Sequence, residues 1–278
     1  MRQAHVQRTP KRIGGRTRNR RDADRSVAVN ALVTGGSINE IVASAASAVE
    51  QGYGTLKLKV GMAETVENEV ARVKAVREAV RPTTYLRLDA NGAWDVGHAI
   101  DVLRAVQPYN VEYVEQPVPA GDLEAMARVR MGAQLSPDET LLTEAPAMRI
   151  AADEDVTDAA SARRVFNAAA ADVIVVKPLQ AGGLKDWIRL LELSPGDAVV
   201  TTSIDTGVGT ALALHLAAAS GATYAHGLST LPLVEDDLIL QKLPVVEGRL
   251  NMPSSPGLGV EVDEAALERY AVSSWQAP

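Results

Sequence analysis

"GTLKLKVG", residues 54–61, decides the architecture. Thr55, Leu56, Leu58 and Val60 are β-formers or apolar, and glycines bracket the run, so it reads as a short strand. Side chains alternate along a strand, which puts Lys57 and Lys59 on one face and Leu58 on the other. Two ammonium groups on one face repel, and each depresses the pKa of the other. Such a pair either faces open water or serves chemistry.

Working outward, "AETVENEVARVKAVREAV" (63–80) follows with Val66, Val70, Val73 and Val76 at helical spacing. "YLRLDAN" (85–91) is again a strand, which completes a β-α-β unit. Upstream, "VAVNALV" (27–33) reads as a strand and 37–52 as a helix, with Ser37 and Glu40 as a capping box. Downstream, strands at 111–117, 134–139, 172–178, 198–203 and 223–228 alternate with helices at 95–107, 121–131, 158–170, 183–193 and 209–220. Strict alternation implies a parallel sheet with right-handed crossovers. Eight strands with seven helices between them predict an α/β fold of the (β/α)8 barrel type, more strictly (β/α)7β, over residues 26–243. An open doubly wound sheet lacks its sign, a G-x-G-x-x-G after the first strand. Residues 244–278 break the rhythm and read as an extended, turn-rich segment.

The 278 residues are 46% hydrophobic and 23% charged, an ordinary globular composition with ample length for a core. No apolar run reaches the roughly 18–20 residues of a membrane span, and no signal-peptide core follows the N-terminus. The absence of cysteine excludes disulfides, thiolate metal sites and thiol nucleophiles, and agrees with a cytoplasmic location. Residues 1–25 carry nine Lys or Arg against Asp22 and Asp24, and read as a disordered basic arm. The rest holds 28 − 9 = 19 basic and 35 − 2 = 33 acidic residues, so nucleic acid is not expected as the main partner.

In a barrel of this kind the working face lies at the C-terminal ends of the strands. Those ends carry, in order, Lys57 and Lys59, Asp89 and Asn91, Glu115, Asp138 with Glu139 beside it, Lys177, and Ser203. Each has an ordinary reading on its own; an Asp before Asn-Gly, for example, is a common turn. As a set, Asp89, Glu115 and Asp138 come from three successive strands and converge on the mouth. Buried and unpaired they would repel one another and take up protons. A hard divalent cation resolves that conflict, because Mg²⁺ takes oxygen ligands and leaves positions for substrate. Lysine is scarce, seven against twenty-one arginines, yet three lysines stand at strand ends. Lysine can release a proton near other cations, whereas arginine cannot.

The series K-x-K, D-A-N, E-Q-P, D-E and K-P on successive strands resembles the enolase superfamily, and within it the muconate-lactonising subgroup. "LKLKVG", "LDANGAW", "YVEQP" and "SPDETL" carry the likeness, which covers about residues 27–265. "VVKPLQAGGL", "TTSIDTGVGTALALHLAAA" and "HGLSTLPLVEDDL" resemble the o-succinylbenzoate synthases. Dipeptide epimerases are similar in the barrel, but typically carry an acidic D-x-D motif where this chain reads "AHGLST".

The resemblance implies a small carboxylate substrate and Mg²⁺ as cofactor, with Mn²⁺ as a substitute. It implies Lys59 as base, Lys57 helping to hold the carboxylate, and Lys177 across the site as a cation over the intermediate. Asn91, Ser203 and Gly227 are expected to touch the substrate, and His226 is expected to be incidental. The implied reaction is loss of water from a cyclohexadiene carboxylate, which yields o-succinylbenzoate for menaquinone synthesis. Racemisation of N-acylamino acids or epimerisation of dipeptides is the alternative. Relatives carry an N-terminal capping domain, for which residues 1–25 offer no counterpart. A truncated, inactive metal-binding barrel is therefore a further reading, as is a homo-oligomer covering exposed apolar surface. On this view the tail loses its partner, leaving Leu250, Met252, Leu258 and Val260 under-buried.

Overall fold

The computed structural model describes residues 26–134, 148–194 and 197–273. Ten strands are described: β1 (Ser26–Ala28), β2 (Ala31–Val33), β3 (Thr55–Lys59), β4 (Tyr85–Asp89), β5 (Val111–Glu115), β6 (Ile150–Ala152), β7 (Val173–Val176), β8 (Ala198–Val200), β9 (Val245–Val246) and β10 (Arg249–Asn251). Strands β2 to β8 form one parallel sheet in chain order. The sheet closes through residues 226–227. His226 bridges to Val29 and Gly227 to Thr201, both in parallel sense, so the expected eighth strand is present as two single bridges. The barrel is thus of the (β/α)7β kind.

The helices lie where the 3.6-residue pattern predicts them: α1 (Ile38–Glu50), α2 (Val66–Ala79), α3 (Val96–Val106), α4 (Leu123–Gly132), α5 (Ala159–Asn167), α6 (Leu184–Leu193) and α7 (Gly207–Ser220). Ser37 and Glu40 make the expected capping box on α1. Thr65, Asp95, Asp122 and Asp158 cap α2 to α5 with their side chains. No helix among the described residues is long and apolar enough to cross a membrane.

Two-residue alternation divides the interior into two cores. Leu56, Leu58, Leu86, Leu88, Val114, Ile150, Ile174 and Val200 point outward and pack in one cluster with the helices. Tyr113, Ala151, Val173, Val175, Val199 and Tyr224 form a second, smaller cluster inside the barrel. Arg87 is fully buried in that lumen, its guanidinium 4.7 Å from the Tyr113 ring centre and 5.5 Å from that of Tyr224. Its Nε donates to Glu112 Oε2 at 2.6 Å and its Nη1 to the Ala225 carbonyl at 2.7 Å. This plug floors the lumen beneath the strand ends that carry the site.

Three expectations change. The first strand divides at Asn30: β2 enters the barrel, whereas β1 pairs antiparallel with β10. The expected fifth strand, 134–139, lies almost wholly outside the described residues; the strand that pairs with β5 is β6, Ile150–Ala152. The tail is not a free extended segment over 244–273. Strands β9 and β10 form a three-stranded sheet with β1, and α8 (Glu264–Tyr270) follows. Of the four residues expected to be under-buried, Leu250, opposite Val27, is buried and Met252 packs against the main core, whereas Leu258 and Val260 remain partly exposed.

Candidate active site

The strand ends open into a cavity of about 340 Å³ lined by Lys57, Lys59, Asp89, Asn91, Asp153, Glu154, Lys177, Ser203 and Gly227, among others. Register brings the groups together. Lys59 lies beside Asp89 and Asp89 beside Glu115 on neighbouring strands, all pointing into the lumen. Catalytic candidates Lys59 and Lys177 line the same cavity, as do the expected substrate contacts Lys57, Asn91, Ser203 and Gly227. A Cβ at Gly227 would lie 2.4 Å from Thr201 Oγ1, so only glycine fits that wall.

The two ammonium groups of the K-x-K pair do not face open water. Lys57 Nζ lies 2.8 Å from Asp89 Oδ2 and 2.9 Å from Glu115 Oε1. Lys59 Nζ donates to Asp89 Oδ2 at 2.7 Å and to Asn91 Oδ1 at 2.6 Å. Burial opposes the charge on Lys57, but Glu115 and Asp89 outweigh it and the pKa is raised. Lys57 is therefore held charged rather than tuned downward. Asp89 is pulled below the ordinary carboxylate range: burial opposes this, and Lys57 and Lys59 overcome it. Glu115 is pushed up to about 7 by burial and by the negative charge of Asp89 and Asp153, against the pull of Lys57.

Asp138 lies outside the described residues. The acid at the end of the strand beside β5 is Asp153, which the sequence reading missed. It is buried, paired with Lys177, and close enough to Glu115 to raise its pKa. Burial raises the pKa of Asp153 itself, against the attraction of Lys177. A signal was available: "IAADE" (150–154) ends in an Asp-Glu pair, as does "LSPDE" (135–139).

The donor chemistry fits a hard divalent cation. Asp89, Glu115 and Asp153 offer only carboxylate oxygens. Burial above all, with Asp89 and Asp153 adding to it, pushes Glu115 up to about 7, so its charged form lacks the stabilisation that a bound cation would supply. Among the described residues no three such groups already converge closely enough to enclose an ion. Lys57 sits between two of them and Lys177 on the third, so an ion would take these oxygens in exchange for ammonium contacts.

A barrel with lysines and carboxylates on successive strand ends defines a class of enzyme folds. The chain belongs to the Enolase C-terminal domain-like family, matched over residues 40–266. It is 36% identical over 256 residues to an o-succinylbenzoate synthase of Thermobifida fusca, an alignment covering 91% of this chain and 74% of that protein. It is 32% identical over 234 residues to a hydrophobic dipeptide epimerase of Enterococcus faecalis, covering 80% of this chain and 60% of the relative. The crystal structure of a dipeptide epimerase from Enterococcus faecalis V583 superposes with a TM-score of 0.75 at 29% identity, over 86% of this chain and 66% of that one.

Proposed function

We propose that the chain abstracts an α-proton from a small carboxylate and expels water from it, as in o-succinylbenzoate synthesis on the route to menaquinone. The observation that carries this reading is the cavity itself: Lys59 and Lys177, from β3 and the end of β7, face one space beside buried carboxylates.

Mg²⁺, or Mn²⁺ in its place, would be held by Asp89, Glu115 and Asp153 and would stabilise negative charge on the substrate carboxylate. The remaining work falls to the chain. Lys57, held charged, supplies a fixed positive charge toward the same carboxylate. Lys59, as neutral amine, takes the α-proton; as ammonium it returns that proton to the departing hydroxide, so water leaves and no net proton is consumed. Lys177, across the site, would act as a cation over the intermediate and stabilise its developing negative charge. Asn91 holds Lys59 Nζ through its side-chain oxygen. Ser203 and Gly227 line the far wall.

Epimerisation or racemisation is the second reading. It is favoured by the same pair of lysines, which can give and take a proton on two faces of a planar intermediate. Against dipeptide epimerisation stands the wall formed by Gly227, Ser229 and Thr230, which offers no carboxylate to a substrate ammonium; N-acylated substrates carry no such ammonium, and the assay below separates them. The test is to incubate the purified chain with Mg²⁺ and either the cyclohexadiene carboxylate or dipeptides and N-succinylamino acids in D₂O. Dehydration of the first, exceeding α-deuterium uptake by the others, is the expected result. Uptake without dehydration would install the second reading, and neither would leave a metal-binding barrel without this chemistry.

A further inference from the structure

Behind Lys59, on the helix side of the sheet, lies a carboxylate that the chemistry above does not use. Glu69, in the first turns of α2, has no exposed surface. A carboxylate persists in such a place only where hydrogen bonds and a nearby opposite charge offset its burial. Oε2 accepts from the Gly61 N–H at 2.8 Å and from the Ala63 N–H at 3.4 Å. Oε1 makes no hydrogen bond and is offset only by the charge of Arg72, whose Nε lies 3.5 Å away, while Arg72 Nη2 donates to the carbonyl oxygen of Lys59 at 3.5 Å. Apart from the Glu69–Arg72 pairing within α2, these contacts fall on the chain just after Lys59 or on its own carbonyl.

The other side of that segment is held by β4, where the Val60 N–H donates to the Asp89 carbonyl at 3.0 Å. Gly61 turns through φ 85°, and a Cβ there would lie 2.6 Å from the Cβ of Ala93, in the loop that follows Asp89 and Asn91. The backbone from Lys59 to Gly61 is thus clamped between α2 and the strand that carries Asp89. A lysine ammonium rides on a flexible four-carbon stem, so its place depends on where the backbone puts its root. Burying a charged side chain to bind two loop amides is a costly arrangement where a neutral turn residue would do.

We propose that Glu69 is a positioning residue for Lys59: through the Gly61 N–H, with Arg72 on the Lys59 carbonyl, it sets the strand end from which the base reaches the substrate. This rests on the assignment of Lys59 as base. The test compares the parent chain with Glu69→Ala and Glu69→Gln by three readouts. These are kcat and KM for α-proton abstraction, amide hydrogen exchange at Gly61, and the side-chain ¹⁵N resonance of Lys59, identified by its loss in Lys59→Arg. In the parent, the Gly61 amide should exchange as slowly as the amides of β3 and β4. Glu69→Ala should move the Lys59 resonance and lower kcat by about 10²-fold, the order expected for a reacting group displaced by about 1 Å, with KM unchanged. Glu69→Gln keeps an oxygen for Gly61 and should recover most of kcat.

A parent Gly61 amide that exchanges like an exposed loop overturns the proposal. So does a Glu69→Ala chain with unmoved Lys59 resonance and unchanged kcat, or a loss carried by KM. If Glu69→Ala does not fold, the Gly61 exchange in the parent and the Glu69→Gln resonance decide. If the parent turns over no carboxylate, the assignment of the base fails, while Gly61 exchange and the Lys59 resonance still decide whether Glu69 positions that side chain.

Discussion

Acidification should destabilise this fold through His226, and the direction follows from its burial and the hydrogen bond its ring accepts. His226 closes the barrel between β2 and β8 and is 2% exposed. The Val200 N–H donates to its Nδ1 at 3.0 Å, so that nitrogen must carry no proton. Burial, with the charge of Arg87 adding to it, lowers its pKa from 6.5 to about 4. Protonation would set an Nδ1–H against the Val200 N–H. The sign follows from linkage: between these two values the unfolded chain binds a proton that the folded one refuses, so stability falls as pH falls. The folded form is unpenalised above about pH 6.5 and has lost the full amount by about pH 4. That interval corresponds to about 3 kcal/mol, a large part of a typical folding free energy. Carboxylates also titrate there, so the comparison is with His226→Asn, whose Oδ1 can accept from the same N–H without titrating. Urea unfolding from pH 7.5 to 4 should give a parent curve that falls about 3 kcal/mol further than that of the variant. Parallel curves would refute the reasoning, since they would mean that His226 protonates equally in both states.

Lys59→Ala and Lys177→Ala should each lower dehydration by about 10²–10⁴-fold; a Lys59→Ala chain with near-parent turnover would remove Lys59 as the base. Calorimetric titration with Mg²⁺ should show one site that is lost in Asp89→Asn and Asp153→Asn and kept in Asp138→Asn. The reverse pattern for the last two would restore Asp138 as the third ligand. Because Glu115 is pushed up to about 7, it is protonated below that pH and an ion must displace the proton. Mg²⁺ should accordingly bind about tenfold more weakly at pH 6 than at pH 8, with proton release on binding at pH 6, and pH-independent affinity would contradict it. Leu250→Ala should cost about 2–5 kcal/mol in urea unfolding, as for other buried leucines; a cost near zero would mean that the tail does not pack on β1.

Alternation along each strand is legible in the sequence, because a period of two assigns every side chain to the lumen or to the helices. Lys57, Lys59, Asp89, Glu115 and Lys177 all follow from that period together with the rule that strand ends meet at one mouth. The first helix follows from its Ser37–Glu40 cap and the second from its valine spacing, which are local properties. What the tertiary structure alone decided concerns partners distant in the chain. "LSPDE" and "IAADE" both end in an Asp-Glu pair, and only pairing with β5 shows that 150–152 occupies the neighbouring place and presents Asp153 to the site. The K-x-K pair reads in isolation as two repelling cations; in the fold Asp89 and Glu115 reach Lys57 from two other strands and hold it charged. Leu250 was expected to be left without cover, and β1, more than two hundred residues earlier, covers it. Local sequence determines which way a side chain points, because that depends on backbone geometry a few residues long. Which groups then meet depends on strand order and register, and these are set by the summed burial and hydrogen bonding of the whole barrel.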